Sequence, residues 1–388
     1  MTDQRLEAAF SLPASFRFGE VSSFTAPRAA VAAAPNLGPL AAFTGTFRGS
    51  GFNTIFRPDS TQTPTPLPIP VPGTDNVLEL NLTLETLSFS KSLGSVPNRG
   101  MVQGDIFLNG VPYLQTINDV TVPSQPVGIH FEPGLWMAVP VTTHPAEGAT
   151  VVRMASIPHG TTVEAQGTSS TIAGKPTIPA VDITPFFTAA PHNKNPFPSQ
   201  TAASKNTARI PQDLTSFIAA GTITQAMLTD PNTFLRNHIA PQTITSTTVI
   251  SISSAPAAPL IGGGTDNIAF LLGNAATNPP QPNAQTLRMQ AMFWIETVEF
   301  AINVPIFEPG QPPLTIPAQT SAAGQPVPEF LVNPPIPITA PRSITVAATQ
   351  IQYSQQVFLN FNTLTWPHVS VATLVPSSPV PIPATAWH

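Results

Sequence analysis

The chain of 388 residues is 41% hydrophobic but only 9% charged, with a formal net charge of -5. Lacking any basic cluster, it is unsuited to nucleic acid or to an anionic membrane surface. The absence of cysteine excludes disulfides, thiolate nucleophiles and Cys-ligated zinc, and 48 prolines with 23 glycines exclude long helices over most of the length. What remains is an all-β reading, in which β-branched residues between the prolines make short strands. The start, MTDQRLEAAF, has neither the basic end nor the apolar core of a signal peptide, and no run reaches the ~18 apolar residues of a membrane span. The expectation is a cytoplasmic protein, with no membrane partner and with an oligomer left open.

In chain order, residues 1–35 read as an Ala-rich arm without sustained period. Residues 36–172 read as the first part of a β-barrel. Phe43 to Phe52 is a strand whose glycines at 45, 49 and 51 let it coil sharply, as barrel closure requires. Residues 61–73 alternate proline with other residues and read as extended loop. From Asn76 to Ser90 the pattern alternates, with Leu78, Leu80, Leu82 and Leu84 on one side and Val77, Glu79, Asn81, Thr83 and Glu85 on the other, a half-buried antiparallel strand. Asp105 to Ile117 reads as a hairpin around Asn109-Gly110.

The stretch from Val127 to Gly167 holds His130, His144 and His159, three of the seven histidines. His130 and Glu132 lie two apart on a strand and so share a face. A buried Glu132 needs a cation, for which Arg153 and Arg48 are available. Gly134 reads as a bend that would carry Trp136 over the same cavity as His130. Val151 to Ile157 and Thr161 to Gln166 read as a hairpin with His159 at its tip.

Residues 173–265 read as an insertion, within which 245–253 is expected as a strand of the same closed sheet. Three stretches, 211–221, 224–230 and 231–240, carry apolar residues at helical spacing and are expected as short helices forming a lid over one barrel mouth, with Leu214, Phe217, Ile218, Leu228 and Phe234 facing inward. Gly262-Gly263-Gly264 lacks the Lys and the following helix of a phosphate loop and reads as a turn. Residues 266–376 read as the remainder of the barrel. They contain a strand of large apolar residues at 290–302, a proline-rich linker at 305–342, and two final strands with His368 at the start of the last. Residues 377–388 read as a tail.

The order of GTFRGSG, LETLSF, PYLQT, HFEPGLW, PHGTTVEAQG and LTWPHVSVATL resembles the nitrobindin-like haem-binding β-barrels of the calycin group. The resemblance covers roughly 40–172 and 343–376. It implies a closed antiparallel calycin-like β-barrel with a short-helical lid insertion and long Pro-rich loops, binding an apolar small molecule, with haem the leading cofactor. It places His368 as the axial ligand of haem iron, a usual role for neutral imidazole. His130, Trp136 and His159 are expected to border the same cavity.

Other chemistries have less to rest on. His130, His144 and His159 lack the tight spacing of a mononuclear metal site, and no G-x-S-x-G elbow exists. Glu79, Glu85 and Glu132 offer carboxylates, but nothing in the spacing faces two of them across a sugar. The alternatives to a binding module are an enzyme on the same barrel, either haem-dependent chemistry on peroxide or nitrogen oxides or a cofactor-free cyclase or isomerase, and a structural or assembly protein.

Overall fold

The structure is a computed structural model describing residues 36–71, 76–157, 159–257, 262–274, 281–320 and 324–387. The arm expected over residues 1–35 lies outside the described residues. The rest is organised on ten long strands: β1 (Gly45–Pro58), β2 (Asn76–Phe89), β3 (Ile106–Asp119), β4 (Val127–Val139), β5 (Thr150–Ile157), β6 (Thr161–Ala173), β7 (Thr243–Ser253), β8 (Gln285–Val304), β9 (Arg342–Phe361) and β10 (Leu364–Pro376). Each pairs antiparallel with the next, and β10 pairs back onto β1, so the sheet closes as an up-and-down barrel. Among the described residues closure leaves no long unpaired edge on the barrel sheet, which matters for a chain with few charges to guard one.

The closing seam runs from Phe47 opposite Pro376 to Thr54 opposite Val369. A Cβ at Gly49 would lie 1.9 Å from the Thr373 carbonyl oxygen, and one at Gly51 would lie 2.6 Å from the Glu85 carboxylate. These glycines therefore do more than permit coiling. They bring backbone and a buried acid closer than any side chain would allow.

Alternation sorts each strand into an inner and an outer face. At one end of the barrel the inner residues form a packed core of Phe47, Leu87, Trp136, Phe293 and Leu374, joined by Leu40 and Phe43 from the segment before β1. Phe43 stacks on Phe89 at 4.5 Å and meets Trp136 edge-on at 5.4 Å. The outer faces of β8, β9 and β10 are apolar too, with Trp294, Val298, Phe300, Val346, Val369 and Val371 buried in a second core. A strand such as β8, rich in large apolar residues throughout, is covered on both sides.

That cover comes from the insertion, and it corrects the lid expectation. The three helices form as read, α1 (Thr215–Ala220), α2 (Gln225–Thr229) and α3 (Thr233–Ile239), but they pack on the outer wall of the barrel. Leu214, Leu228 and Leu235 are buried there, Phe217 and Phe234 pack at the margin, and Ile218 is exposed. On α3, His238 Nδ1 shares a hydrogen bond of 2.9 Å with Thr373 Oγ1, while Gln352 Nε2 donates to the Leu235 carbonyl at 3.2 Å. The outer faces of β8–β10 are a larger apolar target than the mouth, and burying one leucine is worth about 1.5–3 kcal/mol.

Three further expectations change. Ile106 to Asp119 is one continuous strand and makes no hairpin at Asn109-Gly110, because β3 pairs along its length with β4; Gly110 admits the Trp136 carbonyl oxygen, which a Cβ would meet at 3.3 Å. The strand expected near 245–253 does join the barrel, as Thr243–Ser253, so the boundary drawn at residue 266 moves back to Thr243. The described parts of the supposed linker and tail pack against the second core: Leu314–Pro317, Glu329–Val332 and Val380–Pro381 form a small sheet, and Trp387 is buried.

Glu296 sits fully buried on the outer face of β8. Gln350 Nε2 donates to its Oε2 at 2.6 Å, and Oε1 has no partner among the described residues. Burial pushes its pKa up to about 8, with Gln350 and Lys175 pulling the other way. A raised folded pKa means stability present below the unfolded value of 4.5 and lost as pH rises through 8. Glu296→Gln, which mimics the neutral acid, is therefore expected to stabilise the protein by about 1–3 kcal/mol at pH 8, and by little at pH 4.5. Denaturant midpoints across that range check it; a gain independent of pH would count against it.

Candidate functional site

At the end of the barrel opposite Trp136 the inner face is not filled. A cavity of about 590 Å³ opens there, walled by Ile55, Ile117, Ile157, Val357 and Leu359. Polar side chains enter from Asn53, Asn81, Gln115, Tyr353, Gln355 and Ser370. Its mouth carries Arg57, Glu79 and a short helical turn, α4 (Ala269–Leu272), whose Phe270 is 69% exposed while Leu271 is buried. Volumes of this order suit a small-molecule ligand.

Three of the residues read from the sequence meet here. His130 on β4, His159 in the β5–β6 turn and His368 on β10 all line the cavity. The His130 and His159 rings lie 5.6 Å apart. Gly160, at φ +105, makes the turn that places His159, and a Cβ there would lie 2.7 Å from the side chain of Ile268, next to α4.

His368 sits within β10, past Pro367, and is half-buried against the cavity. Asn53, its neighbour across the seam, donates from Nδ2 to His368 Nε2 at 2.8 Å and to Ser370 Oγ at 2.6 Å. Burial, with lesser contributions from His159 and His130, pushes the His368 pKa down to about 3. The imidazole is thus neutral, with Nε2 an acceptor. Burial, then His130, also lowers His159, against a backbone hydrogen bond to Ile129 that raises it.

Trp136 does not border this cavity. It shares the inner face of β4 with His130, but six residues at ~3.3 Å each put it roughly 20 Å further along. Its ring is buried against Phe43, Tyr113 and Phe293. Gly134 is not the expected bend; β4 shifts register opposite Ile117 and Asn118, beside Ile129. The glycine instead admits the Tyr113 ring, which a Cβ would meet at 2.4 Å.

Between the cavity and the packed core lies a buried polar layer. Arg153 on β5 donates from Nη2 to Glu132, from Nε to Tyr113 Oη at 2.7 Å and from Nη1 to Gln355 Oε1 at 2.6 Å. Tyr113 also donates to Glu132, and His130 Nε2 is 3.1 Å from Glu132 Oε2. The guanidinium lies 5.4 to 5.6 Å from the ring centres of Tyr113, Trp136 and Phe293. Burial alone would raise the Glu132 pKa, but Arg153, His130 and Tyr113 hold it at about 2. Glu85 on β2 anchors a second group, accepting from Tyr353 Oη at 2.5 Å, Thr83 Oγ1 at 2.8 Å and Gln115 Nε2 at 3.4 Å. Burial outweighs these bonds and raises its pKa.

Sequence reasoning found the histidines, Glu132 and Arg153. It missed Asn53, Ser370's partner role, Tyr113, Tyr353, Gln115 and Gln355. For the glutamines and tyrosines the available signal was polar residues on the inner parity of otherwise apolar strands. His144, the third histidine of the Val127 to Gly167 stretch, is exposed and shares a hydrogen bond with Thr143. Among the described residues no group of three or more His, Cys, Asp or Glu is arranged to hold a metal ion, and no helix is long and apolar enough to cross a membrane. No protein-family model, curated protein or solved structure matches the chain.

Proposed function

We propose that this chain is a calycin-like barrel that binds an apolar-bodied small molecule in the cavity under α4, with haem the leading ligand and His368 its axial donor. The observation that carries the reading is the neutral imidazole of His368 facing an apolar-walled space beside the small Ser370. His368 would hold haem through Nε2, which accepts from Asn53, and Asn53 has a second acceptor in Ser370 Oγ. Arg57 at the mouth offers a cation to carboxylates on the ligand's edge. Bound haem would supply the ligand-binding and redox chemistry of its iron.

A second reading, proton-transfer chemistry without a cofactor, draws on one feature. His130 is held by a carboxylate whose charge Arg153 fixes, the arrangement of an oriented general base. The barrel is common to both readings.

The test is an absorption spectrum of protein expressed with a haem supply, followed by haemin titration of the purified chain. A Soret band that His368→Ala abolishes, with a melting temperature within about 2 °C of the parent, is the expected result, since the histidine packs little and Asn53 retains a partner. A colourless protein that takes up no haemin would remove haem from the reading. A large loss of stability with binding intact would make His368 a structural residue.

A further inference from the structure

The polar layer under the cavity bears on what the inner end of a ligand can be. We propose that this end accepts an uncharged hydroxyl or carbonyl head on an apolar body and rejects a carboxylate. The inference rests on the cavity holding a small molecule, and does not require that molecule to be haem.

Arg153 is the cation nearest the floor, but it is buried outside the cavity lining and each of its nitrogens already donates to a neighbour. Its three nitrogens donate to Glu132, Tyr113 and Gln355, and aromatic rings pack around the guanidinium. Buried at 1% exposure behind the lining, it is out of reach of a ligand carboxylate in the cavity. Two acids lie behind the floor, Glu132 and Glu85, both buried. The cavity-facing groups nearest them already direct their protons inward, Tyr353 to Glu85 and His130 Nε2 to Glu132. A ligand carboxylate placed here would be desolvated, would find no free cation, and would face the charge of Glu132 at short range. An uncharged head meets a better match. Gln115 donates from Nε2 to Glu85 and Tyr353, and Gln355 accepts at Oε1 from Arg153, which among the described residues leaves the amide carbonyl of the first and the amide N–H groups of the second, an acceptor and a donor. A hydroxyl or carbonyl can use such a pair without a net charge.

The test is displacement of Nile red, an uncharged dye, from the full chain at pH 7.5 by ligands of one tail length: dodecan-1-ol, dodecanoate and dodecylamine. Dodecan-1-ol is expected to displace at a concentration at least about tenfold below that of dodecanoate. Glu132→Gln, which leaves the Arg153 charge uncompensated, should narrow or invert that gap. If that variant fails to fold, Glu85→Gln, whose amide can keep Thr83 and Tyr353 as partners, should narrow it in the same direction. Equal or tighter binding of dodecanoate by the parent protein would overturn the selectivity and leave the cavity reading standing, as would dodecylamine surpassing the alcohol. Failure of the dye and of all three ligands to bind would overturn both.

Discussion

Gly49→Ala is expected to destabilise the barrel by at least about 3 kcal/mol, and to do so at the seam where the first and last strands meet. A Cβ there would lie 1.9 Å from the Thr373 carbonyl oxygen and 2.9 Å from its carbon. Both are backbone atoms of the partner strand, so no rotamer change relieves the overlap; β1 and β10 must separate, and their ladder from Phe47 to Thr54 must stretch. Gly148→Ala is the control, since nothing lies within 4 Å of a Cβ at that site. Urea midpoints of the two variants check the expectation. A loss within about 0.5 kcal/mol at Gly49 would mean that the seam tolerates opening and that barrel closure is not tight there.

The same glycine shows how far the sequence could be read. Closure was legible because Gly45, Gly49 and Gly51 interrupt one strand, and few residues other than glycine suit a sharply coiled inner position. What the glycines make room for was not legible. Gly51 receives Glu85 and Gly134 receives the Tyr113 ring, contacts between residues 34 and 21 positions apart, counting Gly51 to Glu85 and Tyr113 to Gly134, that only register can set.

The helices give the converse case. Their apolar spacing predicted burial but not the surface buried against. The deciding signal lay elsewhere, in β8, where Phe293 and Ile295 face the interior while Trp294 and Val298 face outward. A strand apolar on both faces requires an outer layer, and the insertion is that layer. For the site, strand parity placed His130 with Glu132, and that pair holds; the same parity sets His368 beside Ser370, both bonded to Asn53. Parity could not say how far along the barrel a residue sits, which is why Trp136 was assigned to the cavity when it belongs to the opposite end.

Arg153→Met is expected to cost about 3–5 kcal/mol, the usual consequence of stranding one member of a buried ion pair. The variant keeps much of the volume packed among Tyr113, Trp136 and Phe293, so most of the loss traces to Glu132, which would keep His130 and Tyr113 but lose its cation. The dependence on pH separates this from a packing defect. In the parent protein Glu132 has a folded pKa of about 2, below its ordinary 4.5. Its contribution is therefore present above pH 4.5 and is lost as pH falls towards 2. Without Arg153, burial raises the Glu132 pKa, the folded protein takes up a proton there, and the remaining deficit at low pH is that of packing and hydrogen bonds alone. The gap between parent and variant should accordingly be widest above about pH 5 and shrink steadily on acidification. Glu132→Gln paired with Arg153→Met should recover part of the loss at neutral pH, because an uncharged layer has no stranded ion. Urea denaturation of the parent, the single variant and the double variant between pH 3 and pH 7.5 measures all of this. A deficit that stays constant with pH, and that the second substitution does not reduce, would show that Arg153 holds the barrel by packing and not by its charge.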